Sequence, residues 1–358
     1  MKKNNTTDAF FALLRAGLWE KDVLLSPFGE IDYSQIFQLS QEQAVVGLIA
    51  AGLENVKDVK VPQAFALQFV GQTLQIEQRN KSMNSFIGDV VERMQEKGIY
   101  TLLVKGQGIA QCYERPLWRS SGDVDFFLSN NNYKKAKQFL LPLSTGNKPE
   151  RLYSKEMGLN IDKWYVEVHG TLRTGLSTRV DNVIDSVQDD VFYGGDVCSW
   201  TNGNIQVFLP AANSNVFFVF THFIKHFYKE GGVSIRQLCD LCRLIWSFKE
   251  KGKGTIDIDL LENRLNRAGL LREWKGFAAI AVDYLGMPVE AMPLYCSDKE
   301  WKVRAKKIVA FILKGGKWQK VKDTIAVSKI YPFNTLRFLP GILLSVNWLK
   351  IKERLLKD

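Results

Sequence analysis

Near residue 98 the chain changes its hydrophobic period, and this change constrains the possible folds more than any other feature. Up to about residue 97, "AFFALLRAGLW", "SQIFQLSQEQAVVGLIAAGL" and "PQAFALQFVGQTLQIEQRNKSMNSFIGDVVERMQEKG" place apolar residues at spacings of three and four, with Gly or Pro at the joins. That is the helical pattern. "GIYTLLVKGQG" then interrupts it with a short β-prone run ending in two glycines. From there to about residue 210 strands and helices alternate, with strands expected at about 100–105, 123–128, 163–169 and 205–209, and helices at about 107–115 and 131–141. After Pro210 helical periodicity returns. The expected architecture is α+β: an N-terminal helical arm (1–97), an α/β core (98–210), a helical domain (211–300) and a basic helical tail (301–358).

A chain of 358 residues with 46% hydrophobic residues can bury a substantial core and is not a disordered polymer. Its charge is uneven. Residues 301–358 hold 14 Lys and Arg against 3 Asp and Glu, a surplus of +11, whereas residues 1–300 hold 34 against 35. The tail can therefore meet a polyanion or an anionic membrane surface, or it can be a solvated basic helix pair packed on the helical domain. Its apolar run, broken by Pro340 and Asn347, is too short to span a bilayer. The basic start lacks the apolar segment and cleavage site of a signal peptide and reads as an amphipathic helix. Five irregularly spaced cysteines suit a reducing cytoplasm.

Within the core, "RSSGDVDFFLS" sets Asp123 and Asp125 one residue apart at the head of a strand. Alternation points both carboxylates one way and sends Val124 and Phe126 into packing. Two acids on one face repel unless a cation lies between them, and Mg²⁺, with its preference for hard oxygen ligands, suits an Asp pair beside a nucleotide. A third acid comes from "KWYVEVHG", where Glu167 shares a face with Tyr165 and His169. Upstream, "LLVKGQGIAQCYE" runs from strand through glycines into a helix. Gly106 and Gly108 permit close backbone approach, and Lys105 adds a charge for a phosphate at the helix start.

Strand, glycine turn, helix, Gly-Asp-x-Asp strand and a later strand with a third acid together resemble the DNA polymerase beta-like nucleotidyltransferase superfamily. More closely, "KGQGIAQCYERPLWRSSGDVDFFLS" with "VEVHG", a helical arm before it and "HFIKH" and "RQLCDL" after it, is similar to a bacterial family of uncharacterised nucleotidyltransferases. The resemblance covers roughly residues 5–250. It implies a small mixed-sheet nucleotidyltransferase core flanked by helical regions, and transfer of an NMP from an NTP such as ATP to an acceptor hydroxyl by a two-metal mechanism using Mg²⁺ or Mn²⁺. It also implies metal binding and catalysis by Asp123, Asp125 and Glu167, with Lys105, Gly106, Gln107 and Gly108 at the nucleotide. At this turn Gln107 stands where the superfamily usually has serine.

The same residues admit other accounts. A catalytically inactive nucleotidyltransferase-fold binding module, holding nucleic acid or another polyanion through its tail, is the alternative function. Arg119 either contacts triphosphate oxygens or balances the acids. Arg236 and Asp240 match the family's second-half motif and read as an intrahelical pair. His169, His222 and His226 are candidates for an acceptor pocket. His222, His226, Cys239 and Cys242 have zinc-like spacing, but "RQLCDLCRLIW" is an apolar-periodic helix. A second Asp-x-Asp, Asp257 and Asp259, leads into a helix, with Asp259 expected as its N-cap.

Overall fold

The two acid-bearing segments become neighbours in one sheet. The computed structural model describes residues 5–231, 233–250, 255–314 and 320–355. Its strands are β1 (Leu102–Val104), β2 (Val124–Phe127), β3 (Gly146–Asn147), β4 (Glu156–Ile161), β5 (Trp164–His169), β6 (Val197–Asn202) and β7 (Ile205–Pro210), in the order β3-β4-β5-β2-β1-β7-β6. β2 runs parallel to β5 and β1 parallel to β7, whereas the other adjacent pairs are antiparallel. The fold is thus α+β, a small mixed sheet flanked by helices.

Alternation divides the side chains of this sheet between two apolar clusters. Leu103, Val124, Phe126, Val166 and Val168 pack on Phe86, Ile87 and Val90 of the long helix Gln63–Glu96 and on Tyr133 and Ala136 of the helix Asn130–Leu140. Leu102, Val104 and Phe127 belong to the other cluster, with the helices Thr178–Phe192 and Ala212–Lys225. Asp125 is on this second side, so its carboxylate enters a layer that is otherwise apolar. The second cluster continues through the helices Asn5–Trp19, Val46–Glu54 and Leu271–Asp283 to Phe338 and Ile342 near the C-terminus. Its N-terminal part is close-packed backbone to backbone, since a Cβ on Gly17 would lie 1.8 Å from the Leu48 carbonyl oxygen.

Several local expectations need correction. The helix expected at 107–115 is a short turn of helix, Gly106–Ala110, and the chain after it forms a loop with a 3₁₀ turn at Pro116–Trp118, held to the long helix where Asn80 donates to the Leu117 and Arg119 carbonyls. β3, β4, β6 and the helix Thr178–Phe192 add to the expected elements. Asn202-Gly203-Asn204, with Gly203 at φ 61°, is the hairpin signal that would have located β6 beside β7. Asn5–Trp19 is buried nearly all round rather than amphipathic, and residues 1–4 of that expectation lie outside the described residues. Asp257, not Asp259, is the N-cap of Ile258–Ala268, its carboxylate accepting from Leu260 N at 2.9 Å.

The basic C-terminal segment packs back through Val327, Ile330, Phe338 and Ile342. The helix Pro332–Leu355 runs on through Pro340. On its outer side Phe333, Leu336 and Leu343 are exposed. Residues 315–319 and 356–358 of this segment lie outside the described residues. Among the described residues no helix is long and apolar enough to cross a membrane.

Candidate active site

The β2–β5 ladder aligns Asp125 directly with Glu167 and Phe127 with His169. Cross-strand partners project from the same face, so two carboxylates and an imidazole converge. Asp125, Glu167 and His169 have ligand atoms all within 4.8 Å of one another. Asp123 stands one residue before β2 and lines the same cavity. Asp125 is buried and receives Lys105 Nζ at 2.7 Å and His169 Nε2 at 2.9 Å, both on Oδ1. A carboxylate only accepts, so His169 Nε2 carries the proton and orients Asp125 rather than offering a lone pair from that nitrogen.

The charges in this cluster are unequally matched. Burial pushes Asp125 up, but Lys105 and His169 outweigh it and hold its carboxyl far below the ordinary range. The Asp125 charge and then burial raise Asp123, and burial followed by Asp125 raises Glu167. Neither Asp123 nor Glu167 has a lysine or arginine within ion-pair distance among the described residues. Asp125 and Glu167, with ligand atoms within 4.8 Å, and Asp123 on the wall of the same cavity offer the hard oxygen donors that a divalent cation such as Mg²⁺ takes, so the residues present fit such an ion.

Lys105 reaches Asp125 because the turn is unusual. Lys105 has φ 58° and Gly106 φ 37°, and Gly106 approaches the Asp123 carbonyl closely enough that a Cβ there would be 3.3 Å from it. Lys105 and Gly106 line the cavity. Gln107 does not. It is buried against the long helix, with Nε2 donating to Asn80 Oδ1 at 2.8 Å. Asn80 in turn donates to the Leu117 and Arg119 carbonyls, so Gln107 supports the loop before the acid strand. Gly108 is likewise a packing position, 3.0 Å from Leu209 Cδ2 for an added Cβ.

The cavity itself holds about 340 Å³ and lies between the acid face and the helix Ala212–Lys225. A larger one, about 580 Å³, opens at the opposite end of β1 near Tyr100 and Ser129 and contains none of the acids. His222 and His226 line the acid cavity, with Nε2 atoms 3.1 Å apart. His226 Nδ1 donates to the Gly231 carbonyl at 2.9 Å, so its Nε2 accepts and His222 Nε2 donates. Burial holds both imidazoles below their usual pKa, and Lys105 adds to the effect at His222. Cys239 and Cys242 are buried in the helix Ile235–Glu250, with Cys242 pushed up to about 12 by burial, so neither is a ready thiolate for zinc. None of the five cysteines is joined in a disulfide.

Arg119, expected at the triphosphate or beside the acids, lines the acid cavity and pairs there with Asp240. It is buried and donates Nε to Oδ1 and Nη2 to Oδ2, each at 2.7 Å, while Tyr113 OH also donates to Oδ1 at 2.7 Å. Arg236, four residues before Asp240, is left with a 3.5 Å contact to Oδ2. It lines the acid cavity, a role that sequence spacing hides because an i,i+4 Arg-Asp pair looks complete in itself.

No curated protein and no solved structure matches this chain. A family model described as uncharacterised nucleotidyltransferase matches residues 29–286, a span that contains the glycine turn, all three acids and Arg236. With most of the chain matched and the acids gathered in one cavity, the protein belongs to this nucleotidyltransferase family.

Proposed function

We propose that the chain is a divalent-metal-dependent nucleotidyltransferase that moves an NMP from an NTP to an acceptor hydroxyl. The observation carrying this reading is the convergence of Asp123, Asp125 and Glu167 on one cavity, with Asp125 and Glu167 aligned across a parallel ladder. Asp123, Asp125 and Glu167 would hold Mg²⁺ or Mn²⁺, which when bound in the two-ion arrangement supplies Lewis acidity at the α-phosphate and the acceptor oxygen. In the transfer the acceptor oxygen bonds to the α-phosphorus, the bond to the β-phosphate bridging oxygen breaks, and pyrophosphate leaves. Glu167, without a cationic partner among the described residues and with its pKa raised, takes the acceptor proton on a carboxylate oxygen. Lys105 fixes Asp125, Gly106 lets the backbone approach the phosphates, and the neutral His222–His226 pair borders the acceptor space.

The test is pyrophosphate release, or labelling from α-labelled NTPs, with each NTP and with Mg²⁺ or Mn²⁺. Asp125→Asn and Asp123→Ala are expected to abolish it. Equal turnover in parent and variants would refute the reading.

A second reading concerns the C-terminal helices. Phe333, Leu336 and Leu343 recur at helical spacing and are 77%, 70% and 50% exposed, in a segment with a surplus of +11. An apolar stripe within a strongly basic segment complements an anionic bilayer surface. Flotation with vesicles containing phosphatidylserine should carry the chain upward at low salt and lose it in Phe333→Ser/Leu336→Ser. Nucleic-acid binding that persists in this double variant would instead favour the inactive polyanion-binding module.

A further inference from the structure

We propose that Arg236 is the cation that grips the polyphosphate chain of the nucleotide, an assignment that rests on the nucleotidyltransferase reading above. The cavity's other lysines and arginines are already matched. Lys105 is 2.7 Å from Asp125, Arg119 is 2.7 Å from Asp240, Arg151 is 2.9 Å from Glu156 and Lys225 is 3.1 Å from Glu230. Arg173 donates to Asp185 at 2.8 Å. Arg236 alone among them has no close carboxylate among the described residues. Its single ion-pair contact is 3.5 Å long, to an Asp240 oxygen that Arg119 already holds at 2.7 Å.

Its Nε is out of reach of solvent and has no acceptor among the described residues. The rest of the guanidinium is not sealed in and meets Asp240 only at 3.5 Å, so its outer nitrogens are the donors that a ligand entering the cavity can take. The side chain is 26% exposed, and it lines the cavity that holds the acids. Burial and the nearby Arg119 both disfavour its charge, while Asp240 and Asp123 favour it. On the opposite side of the balance, Asp123 and Glu167 are without a lysine or arginine partner among the described residues. Two under-compensated carboxylates and one under-compensated guanidinium in one cavity complement a bound cation with a phosphate attached. Because Arg236 and Asp123 line the same cavity, the phosphate it meets belongs to the chain carried by that cation. A guanidinium also suits phosphate because it donates in a planar fork.

The test titrates the full chain and its Arg236→Gln and Arg236→Lys variants with inorganic tripolyphosphate and with ATP, each in Mg²⁺, by calorimetry. Mn²⁺ binding without nucleotide and thermal unfolding are measured alongside. Arg236→Gln should weaken tripolyphosphate and ATP by about tenfold or more, the size expected for one lost charge-assisted contact. Arg236→Lys should recover part of that loss. Mn²⁺ affinity should be unchanged or tighter, because a neighbouring positive charge has gone, and Tm should be unchanged or higher. Equal polyphosphate affinity in Arg236→Gln and parent overturns the assignment and leaves the proposed function standing. A matching loss of Mn²⁺ affinity also overturns it, by making the residue merely structural. A parent that binds neither polyphosphate and releases no pyrophosphate overturns both readings.

Discussion

Asp125 and Glu167 stand opposite each other across the parallel β2–β5 ladder, and a single lysine, Lys105, serves that pair by binding Asp125 at 2.7 Å. The inner acid is therefore a fixed anion at every ordinary pH, whereas Glu167 and Asp123 are held partly toward protonation by burial and by the Asp125 charge. One acid is structural in its ionisation and the other two are responsive.

Removing Lys105 should expose that dependence. Lys105→Met strands a buried carboxylate with only His169 to meet it among the described residues, and should cost about 3–5 kcal/mol in urea unfolding. Lys105→Met/Asp125→Asn should recover much of the loss, since the unpaired charge is gone. Additive losses in the double variant would show that the pair is not coupled.

Divalent binding should depend on pH above the range usual for carboxylates. Raised carboxyl pKa values mean that Asp123 and Glu167 must shed protons to receive a cation. Mn²⁺ affinity measured by calorimetry should rise with pH through the window above about 4, the ordinary carboxyl value, with protons released on binding. The proton release should be larger near the bottom of that window than at pH 8.

Asp240 should matter more to stability than either arginine it meets. Asp240→Asn leaves Arg119 and Arg236 both without a carboxylate and should cost about 3–5 kcal/mol, whereas Arg119→Gln frees Asp240 for Arg236 and should cost less. Urea midpoints of the two variants give the order directly.

Glu273 is fully buried, with Tyr228 and Asn334 donating to Oε1 at 2.6 and 2.7 Å and Oε2 without a partner among the described residues. Burial raises its pKa, only partly opposed by these donors. The folded chain thus binds this proton more tightly than the unfolded chain, so the contribution is fully present below the unfolded carboxyl pKa and lost as pH rises through the folded one. Glu273→Gln should gain about 1–3 kcal/mol over the parent at pH 8, and the gain should shrink toward pH 4. Stability curves that stay parallel across this range would show that Glu273 does not ionise in the fold.

Much of this was written in the sequence because it depends on local spacing. Period-two alternation put Asp125, Glu167 and His169 on one face, and the break in helical period marked where the sheet begins. The outer strands β4 and β6 were less visible, since "EMGLNI" and "VCSWTN" bear little β-branched patterning and gain their place from their hairpin partners β5 and β7. Pairings between distant segments were beyond sequence reading. Gln107 turns to Asn80, 27 residues earlier, and Arg119 reaches Asp240, 121 residues later. That last contact sets the place of two arginines, because Arg119 meets both Asp240 oxygens at 2.7 Å and Arg236 reaches only one, at 3.5 Å. Once Arg119 holds both, Arg236 is left facing the cavity. Spacing along the chain determines which face a side chain occupies, but only tertiary packing determines which of two competing cations a buried carboxylate keeps.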